Sequence, residues 1–204
     1  MSSDTTNRVS ERDRSAVAAQ LGRVPRGLRD VAHRCPCGLP SVVRTNPRLE
    51  DGTPFPTLYY LTCSRLCSRI GGMEASGVMR EMTERLETDP ELARTYHEAH
   101  ESYLAERDAI ESLGTGVSAG GMPDRVKCLH VHVGHALAAG PGVNPFGDEA
   151  LDELGEWWRP GPCVGTPKTN TPETNTPETN TPETNTPDAS TPDMSTRGMT
   201  IPGR

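Results

Sequence analysis

RVKCLHVHVGHALAAGP, residues 125–141, has two readings, and the fold class turns on which is right. Read as a strand, alternation puts Cys128, His130 and His132 on one face with Leu129, Val131 and Val133 opposite. Read as a helix, Val126, Leu129, Val133, Ala136 and Leu137 form an apolar stripe. Cys128, His132 and His135 then fall within about 60° of one another beside it, with His130 on its other border. The ending HALAAGP favours the helix, because Gly140 supplies a C-cap and Pro141 bars continuation. The expectation is a helix beginning near Pro123 and closed at Gly140 and Pro141.

Upstream, the glycine-rich stretch LGTGVSAGGMPD separates this helix from another, from Pro90 to about Ser112, whose start is marked by Asp89 as N-cap and proline at the first helical position. Before it, Val78, Met79, Met82 and Leu86 share a stripe, so helical periodicity runs from Ser64. The segment TLYYLTC, ending at Cys63, has a buried-strand pattern. Val31 to Arg34 and Ser41 to Thr45 are short strand candidates on either side of the turn CPCGLP. Ser10, with Asp13 three residues on, suggests a capped first helix ending near Gly22. A last helix is expected from Asp148 to Trp158. The class is therefore α+β: a small mixed domain, residues 10–160, with a short sheet of about three strands and four to five helices.

Both flanks are expected to be disordered, residues 1–9 at one end and 161–204 at the other. Hydrophobic residues make up 33% of the chain and aromatics 4%, too little apolar surface to order all of it. From Thr166 to Ser195 the sequence repeats every five residues (TPKTN, TPETN, TPDAS, TPDMS). A proline in each repeat and a period matching neither helix nor strand leave no face to bury. No apolar run is long enough to span a bilayer and no secretory signal is visible, so the expected compartment is the cytoplasm. The formal net charge of −7 speaks against nucleic acid as a partner. An arginine-rich stretch (Arg23, Arg26, Arg29, Arg34, Arg44, Arg48) and an acidic one from Glu74 to Glu111 read as solvated faces of opposite sign.

Six cysteines in a reducing compartment point to metal ligands, redox centres or core residues before disulfides. Cys35 and Cys37 share a tight turn, Cys63 ends a strand able to lie beside it, and Cys128, His130 and His135 come from the helix above. Cys35, Cys37, Cys63 and either Cys128 or His135 would make a tetrahedral site for zinc. Four thiolates would equally admit an iron–sulfur cluster. The alternatives are separate buried thiols with no metal, or a thiol redox protein with Cys35 or Cys37 as nucleophile. Cys67 reads as a helix-start residue and Cys163 as an exposed bystander. An enzyme is the rival from another class. In it Gly120 and Gly121, with Arg125 and Lys127, bind a small anionic, phosphorylated substrate, while Cys128 or His130 does nucleophilic or acid–base work.

The blocks HRCPCGLP (residues 33–40), DGTPFPTLYYLTC (51–63), EASGVMREM (74–82), GTGVSAGGMPDRVKCLH and AAGPGVNPFGD resemble, in this order, the actinobacterial family catalogued as domain of unknown function five hundred and one. The resemblance covers roughly Arg12 to Trp158. It implies no established activity. It does imply a genomic setting beside a septum-formation initiator, enolase and an exopolyphosphatase-like protein, hence a protein partner in cell division. The family pattern includes Cys35, Cys37, Cys63, Cys128, His130 and His135, whereas His132 and Cys67 are particular to this chain.

Overall fold

The computed structural model describes residues 9–165. Most of the two flanks expected to be disordered therefore lies outside the described residues. Six helices and three strands follow in the order α1 (Glu11–Leu21), β1 (Leu28–Arg34), β2 (Pro40–Thr45), β3 (Tyr59–Leu61), α2 (Ser64–Ala75), α3 (Val78–Thr88), α4 (Pro90–Asp108), α5 (Leu129–Ala139) and α6 (Pro145–Leu154). This is the expected α+β class, with one helix more than anticipated. The run after Ser64 is broken at Gly77, whose φ of 91° suits a residue without a Cβ.

The sheet is an antiparallel meander, β1-β2-β3, with Val31 opposite Val43, and Val42 opposite Leu61. β2 is central and buried along most of its length. α1 is fastened to it at the side: Arg34 grips Asp13 through two hydrogen bonds of 2.7 and 2.8 Å, and Ser10 accepts from the Asp13 amide. That ion pair holds the Asp13 carboxyl below the usual carboxylate range.

α5 is the pivot. Leu129, Val131, His132, Val133, Gly134, His135 and Ala136 are all buried, as expected of a helix apolar around its girth. Its neighbours come close, and at the α6 contact only glycine fits. A Cβ at Gly134 would lie 3.2 Å from the Tyr59 carbonyl oxygen, and one at Gly147 would lie 2.3 Å from the His132 carbonyl oxygen and 2.7 Å from Ala136 Cβ. The core around it gathers Leu58, Leu61, Leu66, Ile70, Met82, Tyr96, Tyr103, Phe146 and Trp157.

Three boundaries differ from expectation for local reasons. α5 starts at Leu129, not near Pro123, because residues 120–127 close on themselves: the Lys127 amide donates to the Gly120 carbonyl at 2.7 Å and the Arg125 amide to that of Gly121 at 3.1 Å. α6 starts at Pro145 and ends at Leu154, because Asn144 caps it by accepting from the Gly147 amide at 3.0 Å. α4 ends at Asp108, where the fully buried Arg107 turns to the loop that follows. Its guanidinium donates to the carbonyls of Val117 (2.6 Å) and Thr115 (3.0 Å) and to Asp108 (2.8 Å).

The contact at Gly147 generates a paired prediction. Gly147→Ala should destabilise the fold by roughly 1–3 kcal/mol, since α5 and α6 must part to admit the methyl group. Gly72→Ala, at an α2 position with open space around it, should stabilise by about 0.5–1 kcal/mol. Urea unfolding followed by circular dichroism reads both. Equal effects from the two variants would show that the close approach does not limit packing.

Candidate metal centre

The head of α5 is unusual because its N-cap residue, Cys128, makes no side-chain cap. A carboxylate from another helix serves instead: Glu74, near the end of α2, accepts from the Leu129 amide at 2.7 Å through Oε1. A negative group at the amino end of a helix is favoured by the unpaired amides and the helix dipole. The same oxygen lies 3.1 Å from Nδ1 of His130, and Cys128 Sγ lies 3.9 Å from that nitrogen. One ligand atom from each of Glu74, Cys128 and His130 falls within 4.8 Å of the other two.

His130 is oriented from its far side, where Nε2 donates to the Cys67 carbonyl at 3.2 Å. With Nδ1 facing Cys128 and Glu74, both ring nitrogens act as donors. The ring accordingly holds its proton up to about 9, raised first by Cys128 and then by Glu74, against the opposing effect of burial. Cys128 and His130 line a cavity of about 700 Å³, whose other walls include Tyr59, Thr62, Ser64 and Cys67.

Cys128 and His130 meet because Cys128 is not part of the helix. Its backbone is extended, with φ −154° and ψ 107°, so the helical projection placing it with His132 and His135 does not apply. Those two histidines turn into the core. Asn144 Nδ2 lies 3.3 Å from Nδ1 of each, and because Asn144 Oδ1 accepts from Gly147, its amide nitrogen donates to both rings. Each ring therefore carries its hydrogen on Nε2. That of His132 faces Tyr96 Oη and the Gly120 carbonyl. That of His135 has no hydrogen-bond partner among the described residues, and its ring stacks on Tyr59.

The remaining sequence candidates fall into two groups. Among the described residues, the group at the α5 head takes in none of Cys35, Cys37 and Cys63; Cys35 and Cys63 are buried, and all six thiols are free. Gly120 and Gly121 have φ of 68° and 96° and pack without room for a Cβ: one at 120 would lie 3.0 Å from the His132 ring, and one at 121 would lie 2.5 Å from the Arg125 carbonyl oxygen. Arg125 and Lys127 are exposed beside this turn. Five of the six arginines of the basic stretch are paired within the molecule: Arg26 with Asp51, Arg29 and Arg44 with Asp30, Arg34 with Asp13, and Arg48 with Glu111.

Sequence reasoning missed Glu74. It sits in an acidic run where nothing distinguishes it from its neighbours, and only the packing of α2 against α5 selects it. Among the described residues, no helix is long and apolar enough to cross a membrane.

Fold and site together define a small α+β protein in which three side chains able to ligate a metal gather at the head of a buried helix. The chain belongs to the family described as Protein of unknown function (DUF501), whose model matches residues 31–152. No curated protein and no solved structure matches it.

The placement of His135 gives a pH prediction. Burial pushes this ring down to about 4, from 6.5 when unperturbed. Between those values the unfolded chain binds a proton that the folded chain refuses. Its contribution is thus complete above pH 6.5 and is lost as the pH falls toward 4, by up to ~1.4 kcal/mol per pH unit. The urea midpoint should fall across this window, and His135→Gln should make the fall shallower. An unchanged slope in the variant would mean that this ring does not titrate there.

Proposed function

We propose that this protein is a metal-binding module, with zinc as the preferred ion, whose centre is Glu74, Cys128 and His130. The observation that supports it most is the convergence of a carboxylate oxygen, a thiol sulfur and an imidazole nitrogen, from the end of α2 and the head of α5, within 4.8 Å of one another. One thiolate, one imidazole and one carboxylate suit zinc, whereas a single thiolate is too few to hold an iron–sulfur cluster. The site also has the outer partner that metal-bound histidines usually have, since the Cys67 carbonyl fixes the His130 ring through Nε2. Binding would release the Nδ1 proton of His130 and the thiol proton of Cys128, and put a divalent cation where the imidazolium N–H now faces Glu74.

Three protein ligands leave a position for a fourth, a feature of sites that take an exchangeable ligand, not of closed structural ones. The cavity beside Cys128 and His130 is large enough for a small molecule or a partner's side chain. This fits an interaction or regulatory module in the cytoplasm, with the division machinery suggested by the family resemblance as its setting. An enzymatic reading rests on a different observation: the Cys128 thiol lies beside an imidazolium, an arrangement that can activate sulfur without any metal.

Zinc titration of chelator-treated full-length protein separates the two. Glu74→Gln and Cys128→Ser should each weaken zinc binding at this centre by ~100-fold or more, beyond the effect of losing an outer-shell partner. If Glu74→Gln leaves zinc binding unchanged while Cys128 reacts rapidly with iodoacetamide, the metal reading fails and the thiol reading stands.

A further inference from the structure

The two faces of the sheet are told apart at β3. The Tyr59 ring stacks on His135 of α5, so its neighbour Tyr60 points to the face turned away from α5. Val43 stands opposite Tyr60, and Leu28 opposite Thr45. By alternation these four share the outward face, whereas Val42 and Leu61 belong to the core around α5. On an antiparallel sheet with one side on the core, outward positions are ordinarily polar and wet. Here Leu28, Val43 and Tyr60 hold three of the four.

Those residues line a cavity of about 330 Å³, together with Leu21 at the end of α1 and with Leu49 and Phe55 from the β2–β3 loop. Its size falls within the ~300–1,000 Å³ of small-molecule sites. Phe55 stacks on Tyr60 with ring centroids 6.3 Å apart, which makes one wall flat and aromatic. Thr45 adds a hydroxyl to the lining, but that hydroxyl donates to the Thr57 carbonyl. The body of a ligand held here would meet mainly apolar surface.

Charge in the lining is of one sign: Arg23 and Arg26 contribute to it and no carboxylate does. Arg26 is held by Asp51 at 3.0 Å. Arg23 is the one arginine of the basic stretch with no carboxylate partner among the described residues. Its guanidinium meets the Val24 carbonyl at 3.4 Å. In a chain of net charge −7, an apolar cavity with an unmatched guanidinium complements an apolar molecule that ends in a single negative charge. The planar guanidinium fits a carboxylate through two parallel hydrogen bonds. We propose that this cavity binds a small monocarboxylate with an extended or planar apolar body, at a site distinct from the Glu74 centre. The body lies against Val43, Tyr60 and Phe55, and the carboxylate pairs with Arg23.

The test is calorimetric titration of chelator-treated full-length protein with octanoate, and with octanol as its neutral counterpart. Octanoate should bind saturably with a Kd below ~1 mM, and ~10-fold or more tighter than octanol. Arg23→Gln should lose that preference and leave octanol binding unchanged; because Arg23 is exposed, this variant keeps the fold. Leu28→Trp, which fills the cavity, should abolish binding of both, with circular dichroism checking that it folds. Glu74→Gln should bind octanoate as the parent does. No saturation by octanoate up to ~1 mM, equal affinity for octanol, or equal affinity in Arg23→Gln overturns the proposal. Loss of octanoate binding in Glu74→Gln but not in Arg23→Gln places the carboxylate at the other centre, overturning this site and leaving that one standing.

Discussion

The α5 backbone touches β3 at Gly134 and α6 at Gly147; the second contact leaves no room for a side chain, and the first is tighter than most side chains meet. Such packing leaves the polar groups on α5 no route to water, so each needs an internal partner. Asn144 meets much of this need. Its oxygen caps α6 and its nitrogen serves both His132 and His135, so one amide sets the start of α6 and fixes two buried rings. The sheet, the helix pair and the position of the α5 head all follow from that arrangement.

Because α5 is held along its length, its first residues project at a defined place, between α2 and the cavity floored by β3. Glu74 meets them there as a cap, and the cap is also the oxygen that faces His130. Helix capping and ligand assembly are therefore the same contact. This explains why a carboxylate tolerates burial beside a thiol: two donors and a helix end offset the loss of water around it.

Much of the fold was legible because it depends on local signals. The Asp89-Pro90 start, the Gly140 stop, the Ser10 cap and the valine-rich strands each act within a few residues, and the structure has them in place. The Cys128 to His135 segment was legible as a helix but not in its first turn. There a hydrogen-bonded turn at Gly120 and Gly121 holds the chain extended through Cys128, and that turn depends on tight packing against His132. Glu74 was illegible for a related reason. Nothing near it in sequence marks it, and it comes into view only when the end of α2 is brought to the Leu129 amide.

The loop from Thr115 to Ser118 looks, by composition, like a surface connector, small, polar and rich in glycine. Its carbonyls nevertheless hold the guanidinium of Arg107, which has no contact with solvent, and Ser118 holds His100 at 2.8 Å. A charge in the interior thus relies on a stretch of chain that appears dispensable. Insertions, tags or circular-permutation breakpoints, which glycine-rich loops usually accept, would here strip Arg107 of its acceptors, and the damage would reach the core through α4. The safer place to graft a sequence is the open turn around Gly52, where nothing crowds the glycine.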